Sequence, residues 1–316
     1  MNRFFEKLDE EIKKYKNIII IGHKNPDLDC IASSCALYKI IKDNCYVYKT
    51  TEELTNSAYK AYEELEKEKI RYINKNNYKE YIEKALLIVV DLHKKTLIEN
   101  EKLLDEIKDK IIIDHHIIGK NKISANLEYI DDQASSTVEI IIEYMKYKNT
   151  KINENIATIM LAGIEIDTNG YNMKTTEKTF QAATYLMQKG ANNILKQKLL
   201  KEPKENYVER TNHIEKSFII DNMIICTLNK KIYNPIYLAT LAEDLLRFEG
   251  VEASFAIGRI NKDVVGISSR SLGNIDVEKY MRKLGGGGHK TDAACQIQEK
   301  KPKKVEKNLI KKLGKW

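Results

Sequence analysis

Apolar residues in the first half of the chain gather into short blocks that stop at residues able to do chemistry. Residues 17–22 read NIIIIG and run into His23, and residues 86–90 read LLIVV and run into Asp91. Residues 111–113 are all Ile and run into Asp114, His115 and His116, while residues 160–166 read MLAGIEI and run into Asp167. Short apolar runs without alternation suit strands buried on both faces of a parallel sheet, so four such strands are predicted. Around them, 32–42, 52–69, 97–109 and 136–147 carry apolar residues at helical spacing. This alternation predicts an α/β fold with a parallel sheet in the N-terminal part. In open sheets of that kind the ligand crevice lies outside the carboxyl ends of the strands. Four strand ends are thus expected to bring His and Asp side chains to one place.

The pattern changes after about residue 175. Residues 176–216 read as helices with charged faces, and from Phe218 short strands return in FIIDNMIICTL, EASFAIGRI and DVVGISSRS, with a helix over 234–249. GGGGH at 285–289 is followed by one more strand at 293–298. The expectation is a larger domain over 1–190, a helical connector over 191–216, and a smaller mixed α/β domain over 217–316.

Charge alters this picture little. The net charge is +7, but residues 299–316 hold eight Lys and two Glu, so the rest of the chain is nearly neutral. Within that tail Val305, Leu309, Ile310 and Leu313 recur at helical spacing. An amphipathic helix with a solvated basic face is the reading preferred over an arm that tracks RNA. The five cysteines form no C-x-x-C pair, which argues against a disulfide scaffold and a zinc ribbon. No apolar run approaches the ~18 residues of a spanning helix. The N-terminus is too acidic for a secretory signal, and the chain reads as a cytoplasmic protein with no membrane partner.

The strand-end residues form a candidate metal set. His23, Asp27 and Asp29 fall within seven residues, where Pro26 forces a turn, and Asp91, His115 and Asp167 join them. Four carboxylates clustered without a cation would repel strongly, whereas two divalent cations would balance them. An oxygen-rich set with some imidazole favours Mn²⁺ over Zn²⁺ and needs no thiolate. Cys30 follows Asp29 directly at what should be a first helical turn, and Cys35 lies a turn or so beyond. The Cys30 thiol is either inert packing or a redox-sensitive group with Cys35 as its resolving partner. Ser135, Ser136 and Thr137 are expected to cap the helix that follows them.

In order, the segments GHKNPDLD, VVD, IIDHH and GIEIDT resemble the four motifs of the DHH phosphoesterase superfamily. GISSRSLG and KLGGGGHKTDAA resemble the C-terminal substrate-binding domain that accompanies it. ASSTVEIIIEY and SSRSLGNIDVEKYMRKLGGGGH are similar to the catalytic portion of bacterial cyclic-di-AMP phosphodiesterases. In that group membrane helices and further domains usually come first, and this sequence has none of them. The resemblance implies two Mn²⁺, one held by His23, Asp27 and Asp91 and the other by Asp29, Asp91, His115 and Asp167. It also implies that Asp114 orients an imidazole, that His116 faces the scissile phosphate, and that His93 is either a site residue or an exposed loop histidine. Ser269, Arg270, Gly286, Gly287, Gly288 and His289 would bind substrate, with Arg270 offering a bidentate fork and the glycines letting backbone N–H groups approach a phosphate. The implied activity is hydrolysis of cyclic di-AMP or pApA to pApA or AMP. The alternatives are an oligoribonuclease that also removes phosphate from 3′-phosphoadenosine 5′-phosphate, and a non-catalytic nucleotide-binding or RNA-binding module. The partner is a small nucleotide or short oligoribonucleotide, long nucleic acid is not required, and a homodimer is left open.

Overall fold

The computed structural model describes residues 1–52, 54–119 and 121–314, so Lys315 and Trp316 at the end of the expected second domain lie outside the described residues. The chain divides into two compact units, Met1–Glu202 and Pro203–Trp316.

The first unit is built on six parallel strands: β1 (Asn17–Ile21), β2 (Cys45–Tyr48), β3 (Tyr72–Ile73), β4 (Ala85–Val90), β5 (Lys110–Asp114) and β6 (Leu127–Ile130). They are ordered β3-β2-β1-β4-β5-β6. Every residue of β1, β4 and β5 is buried, because helices cover both faces. The period of two along a strand sorts the side chains into two cores. Ile18, Ile20, Leu86, Ile88, Val90, Ile111 and Ile113 enter one, and Ile19, Ile21, Leu87, Val89 and Ile112 enter the other. Strand order reverses between β1 and β4, and that switch point is where open sheets place their crevice.

The helices of this unit are α1 (Asn2–Ile12), α2 (Leu28–Ile41), α3 (Asn56–Leu65), α4 (Lys102–Glu106), α5 (Thr137–Tyr147), α6 (Glu154–Asp167), α7 (Glu177–Gln188) and α8 (Asn193–Leu200). Two expectations fail here. Residues 160–166 form no strand; they are the last two turns of α6, with Asp167 at its end. Asn153 caps that helix by accepting from Ile156 N at 3.2 Å, and Ile156–Ile164 are all buried. A helix buried all round reads like a buried strand when only seven of its residues are weighed. The helix expected over 97–109 is confined to Lys102–Glu106, with loop on either side.

The second unit contains α9 (Lys204–Ile214), β7 (Phe218–Ile220), β8 (Met223–Ile232), α10 (Pro235–Leu245), β9 (Ala253–Arg259), β10 (Val264–Ser271), α11 (Val277–Arg282), β11 (Gly287–Gly288), β12 (Asp292–Gln298) and α12 (Pro302–Lys312). Its sheet runs β11-β12-β10-β9-β8-β7, antiparallel except between β8 and β9. The lysine-rich tail is the amphipathic helix α12, but it is far from wholly solvated. Val305, Leu309, Ile310 and Leu313 are buried in the same core as Phe255 and Ile257. Among the described residues, no helix is long and apolar enough to cross a membrane.

Because α12 closes this core, Leu309→Ala should lower stability by about 2–5 kcal/mol. Exposed Lys311→Ala should stay within about 0.5 kcal/mol. Urea unfolding of the two variants checks the contrast, and equal midpoints would mean that the tail does not pack as described.

Candidate metal centre

Three strand ends and two helices assemble the centre. β1 ends at Ile21, and the loop after it carries His23. Hydrogen bonds from Lys24 N to Leu97 O (2.7 Å) and from Glu99 N to Gly22 O (3.1 Å) pin this loop. His23 Nδ1 lies 2.8 Å from the Lys24 carbonyl. A carbonyl partner fixes the proton on Nδ1 and leaves the Nε2 lone pair for a metal. Nε2 lies 3.4 Å from Asp91 Oδ2 and 3.9 Å from Asp27 Oδ2.

Asp27 does two things at once. Its Oδ1 caps α2 by accepting from Cys30 N at 3.0 Å, while Oδ2 turns toward His23. The cap of α2 is therefore Asp27, and Asp29 lies inside the helix, fully buried.

Asp91 follows β4 directly and has φ of 62°. That left-handed backbone is uncommon for a residue with a Cβ, though Asp tolerates it better than most. The turn aims the two carboxylate oxygens at different imidazoles. Oδ2 faces His23 Nε2, and Oδ1 lies 3.5 Å from His115 Nε2 and 3.8 Å from His116 Nδ1. Donor atoms of Asp91, His115 and His116 gather within 4.8 Å of one another, as do those of Asp29, His115 and Asp167.

His115 supplies the test of whether these residues fit a metal. Its Nδ1 lies 3.4 Å from the Ala134 carbonyl, which leaves the Nε2 lone pair free. Nε2 is buried without a hydrogen-bond partner, although Asp167 Oδ2 is only 3.0 Å away. The two atoms are close but misaligned for a hydrogen bond, so they face a common point. A buried imidazole lone pair beside a carboxylate fits a cation between them.

The carboxylates show the strain of being together. Burial first, then the charge of Asp167, pushes Asp29 up to about 7. Burial and then the charge of Asp27 push Asp167 up to about 8. Asp91 is raised well above the ordinary carboxylate range by burial and then by Asp29. Asp114 behaves differently. Burial alone would raise it, but hydrogen bonds from His116 and His93 outweigh burial and hold it below the usual range.

Asp114 is an organiser. Its Oδ1 accepts from His115 N (2.8 Å), His116 N (3.2 Å) and His116 Nδ1 (2.7 Å), and its Oδ2 pairs with His93 Nδ1. His93 is wholly buried and accepts from Gly119 N through Nε2 at 3.2 Å, so it is no exposed loop histidine. His116 is the more open of the pair, with 41% of its side chain exposed.

The helix α5 holds the centre in a way that capping propensity does not show. Ser136 is the cap, accepting from Glu139 N at 3.2 Å. Thr137 N and Val138 N donate to the two oxygens of Asp29 at 2.8 and 2.9 Å, and Thr137 Oγ1 donates to Asp91 Oδ1 at 3.0 Å. The open N–H groups and dipole of a helix start thereby stabilise a buried anion. Gly163 of α6 lets that helix approach: a Cβ there would meet the Asp29 Cα at 3.0 Å. Thr137 is the residue at this centre that motif reading missed; its signal was a hydroxyl next to the cap, indistinguishable from an ordinary helix start.

Within the second unit, the expected substrate residues are more committed than anticipated. Arg270 is buried, with Nη1 on Asp292 (2.8 Å) and Nε and Nη2 on Glu243 Oε1 (3.2 and 3.1 Å), so its fork is already filled by carboxylates. Ser269 is fully buried, and its hydroxyl donates to Ala293 O at 2.7 Å. Gly286 and Gly288 are needed for packing, since a Cβ would lie 2.2 Å from Ala294 O or 2.4 Å from Ala293 Cα. Gly287 has open space on that side, and His289 N donates to Asp292 O at 2.5 Å.

Residues 17–164 match the N-terminal domain of the DHH family, and residues 220–316 match the DHHA1 domain. The chain belongs to the DHH family. Cyclic-di-AMP phosphodiesterase GdpP of Geobacillus thermodenitrificans is 36% identical over 314 residues, 96% of this chain and 48% of that protein. Cyclic-di-AMP phosphodiesterase PdeA of Listeria monocytogenes is 35% identical over 319 residues, again 96% of this chain and 48% of that protein. The chain thus spans about half the length of these curated relatives. An exopolyphosphatase-related protein from Bacteroides fragilis shares the fold at a TM-score of 0.84 and 17% identity, covering 99% of this chain and 96% of that one.

Two predictions follow from this geometry. Raised carboxylate pKa values mean that the metal-free native state holds protons which the unfolded chain releases near pH 4. That contribution to stability is full below about pH 4 and is lost as pH rises through 7 and 8, the values of Asp29 and Asp167. The Tm of metal-stripped protein should therefore fall by roughly 5 °C or more between about pH 5 and pH 9. Added divalent cation should restore it at the alkaline end; a flat profile in scanning calorimetry would argue against buried, proton-sharing carboxylates. Separately, Thr137→Val keeps the shape and removes the hydroxyl. It should weaken divalent cation binding about 10–100-fold in titration calorimetry, and unchanged affinity would reduce Thr137 to a packing residue.

Proposed function

We propose that this DHH protein is a Mn²⁺-dependent phosphodiesterase that hydrolyses cyclic di-AMP to linear pApA, with AMP as the product of further cleavage. The observation that carries the reading is Asp91, whose two oxygens face the imidazoles of two different donor groups. The names of the relatives at 35–36% identity support the substrate.

His23, Asp27 and Asp91 would hold one cation, and Asp29, Asp91, His115 and Asp167 the other. Four carboxylates are hard donors suited to Mn²⁺, two borderline imidazoles complete the set, and the carboxylate charge balances two divalent ions. When bound, the cations would supply Lewis acidity toward the phosphate and toward an attacking water. The chain's own groups do the rest. Asp114 accepts from His116 Nδ1, which turns His116 Nε2 outward. From there a protonated His116 can donate to a phosphate oxygen or to the departing ribose oxygen. His93 fixes the second oxygen of Asp114, so the carboxylate cannot rotate away from His116.

In the second unit, the backbone of Gly286, Gly287 and Gly288, together with His289, is the proposed nucleotide cradle. Gly287 is its most open point. Arg270 is assigned the orientation of Asp292 and Glu243, and Ser269 the joining of β10 to β12, in place of direct phosphate contact.

A side-by-side turnover assay with Mn²⁺ tests this function on cyclic di-AMP, pApA, a five-mer RNA, 3′-phosphoadenosine 5′-phosphate and pyrophosphate. Cyclic di-AMP should give the highest kcat/KM. Faster turnover of the RNA or of 3′-phosphoadenosine 5′-phosphate would replace it with the oligoribonuclease reading. Asp91→Ala should cost roughly a thousandfold or more in kcat, since a group shared by both cations should matter at least as much as one transition-state donor. Retention of more than about a tenth of activity would contradict the shared role.

A further inference from the structure

Beyond the six side chains of the family motifs, one more donor reaches the centre. We propose that the Cys30 thiolate is a further ligand of the cation held by His23 and Asp91, which raises the affinity of this position for thiophilic ions such as Zn²⁺ or Co²⁺ relative to that of the all-oxygen-and-imidazole set. The proposal rests on the metal centre described above and adds a donor that an oxygen-and-imidazole set lacks.

The geometry is a three-point convergence. Donor atoms of His23, Cys30 and Asp91 all lie within 4.8 Å of one another, and they come from the loop after β1, the first turn of α2 and the end of β4. The sulfur is also seated deliberately by its surroundings. A Cβ on Gly22 would lie 2.0 Å from Cys30 Sγ, so the missing side chain at the end of β1 is the notch that receives the thiol. That notch directs Sγ to the strand end, beside His23, and away from the packing between helices. Gly22, His23, Pro26, Cys30 and Ser34 line one recess there. His23 already presents Nε2 to this point, because its other nitrogen is tied to the Lys24 carbonyl. His115 Nε2, buried and unpaired, belongs to the neighbouring donor group that shares Asp91 with this one.

Cys35 makes a useful contrast. It is also buried on α2, but its Sγ lies 3.9 Å from Tyr72 OH, and burial pushes the thiol up to about 12. It remains a protonated packing group. At Cys30, binding would form the sulfur–metal bond as the S–H bond breaks, and the proton passes to solvent; nothing is oxidised or reduced. A thiolate added to two carboxylates and an imidazole shifts preference from Mn²⁺ toward softer ions.

Cobalt substitution of the full chain reads both claims. Visible d–d bands report that Co²⁺ is bound at all, and a near-ultraviolet sulfur-to-cobalt charge-transfer band reports the thiolate. The wild type should show both. Cys30→Ser and Cys30→Ala should keep the visible bands and lose the ultraviolet one, while Cys35→Ala should keep both. In Zn²⁺/Mn²⁺ competition, Cys30→Ser should lose on the order of tenfold or more of the preference for Zn²⁺. Visible bands without the ultraviolet band in the wild type would overturn the Cys30 assignment and leave the centre standing. An ultraviolet band that survives both Cys30 substitutions would overturn it too. Absence of both bands in the wild type would sink the metal centre itself.

Discussion

Mutual repulsion among buried carboxylates is the constraint from which most of the first unit can be understood. Asp29 and Asp91 are buried and Asp167 is nearly so, and their raised pKa values express the cost of that burial and of one another's charge. Proteins do not gather such charges without a compensating cation or donor. Each neighbouring element is accordingly a device for tolerating negative charge. The start of α5 offers two N–H groups and a hydroxyl, the imidazoles offer lone pairs aimed inward, and Asp114 is kept ionised by its own set of donors.

The parallel sheet makes this affordable because it is rigid at the point of need. β1, β4 and β5 are buried along their whole length and lie side by side across the switch point, so their ends cannot drift apart. The two central helices complete the frame. α2 brings Asp27, Asp29 and Cys30, α6 brings Asp167, and Gly163 brings the two backbones into contact. Positions of donor atoms are thus set by packing of the strands and helices and, for His23, by the hydrogen bonds that pin its loop.

Much of this is legible in the sequence. β-branched runs ending in His or Asp mark the three strands and their chemistry, because burial on both faces leaves no other pattern. His23, Asp91, Asp114, His115 and His116 then fall at or just past the ends of those strands, whereas Asp29 and Asp167 lie on helices. What is not legible has specific causes. MLAGIEI is apolar apart from Glu165 and lacks helical periodicity over so few residues, so α6 and a strand look alike until its cap at Asn153 is included. Thr137 acts through the next turn's backbone geometry, which no spacing encodes. His93 looks like any loop histidine until Asp114 is found beside it. Arg270 has the chemistry of a phosphate fork, but Glu243 lies 27 residues away in the chain and claims it.

The second unit has a property that concerns time as much as space. Its core includes Val305, Leu309, Ile310 and Leu313 from α12, an element that follows all of its strands. The first unit, by contrast, is complete by Glu202. During synthesis the metal-binding half can therefore close while the other half still waits for α12 to leave the ribosome, as sequential domain folding permits. Until then Val277 and Met281 of α11 cover only part of that core, and the rest waits for the apolar face of the basic helix.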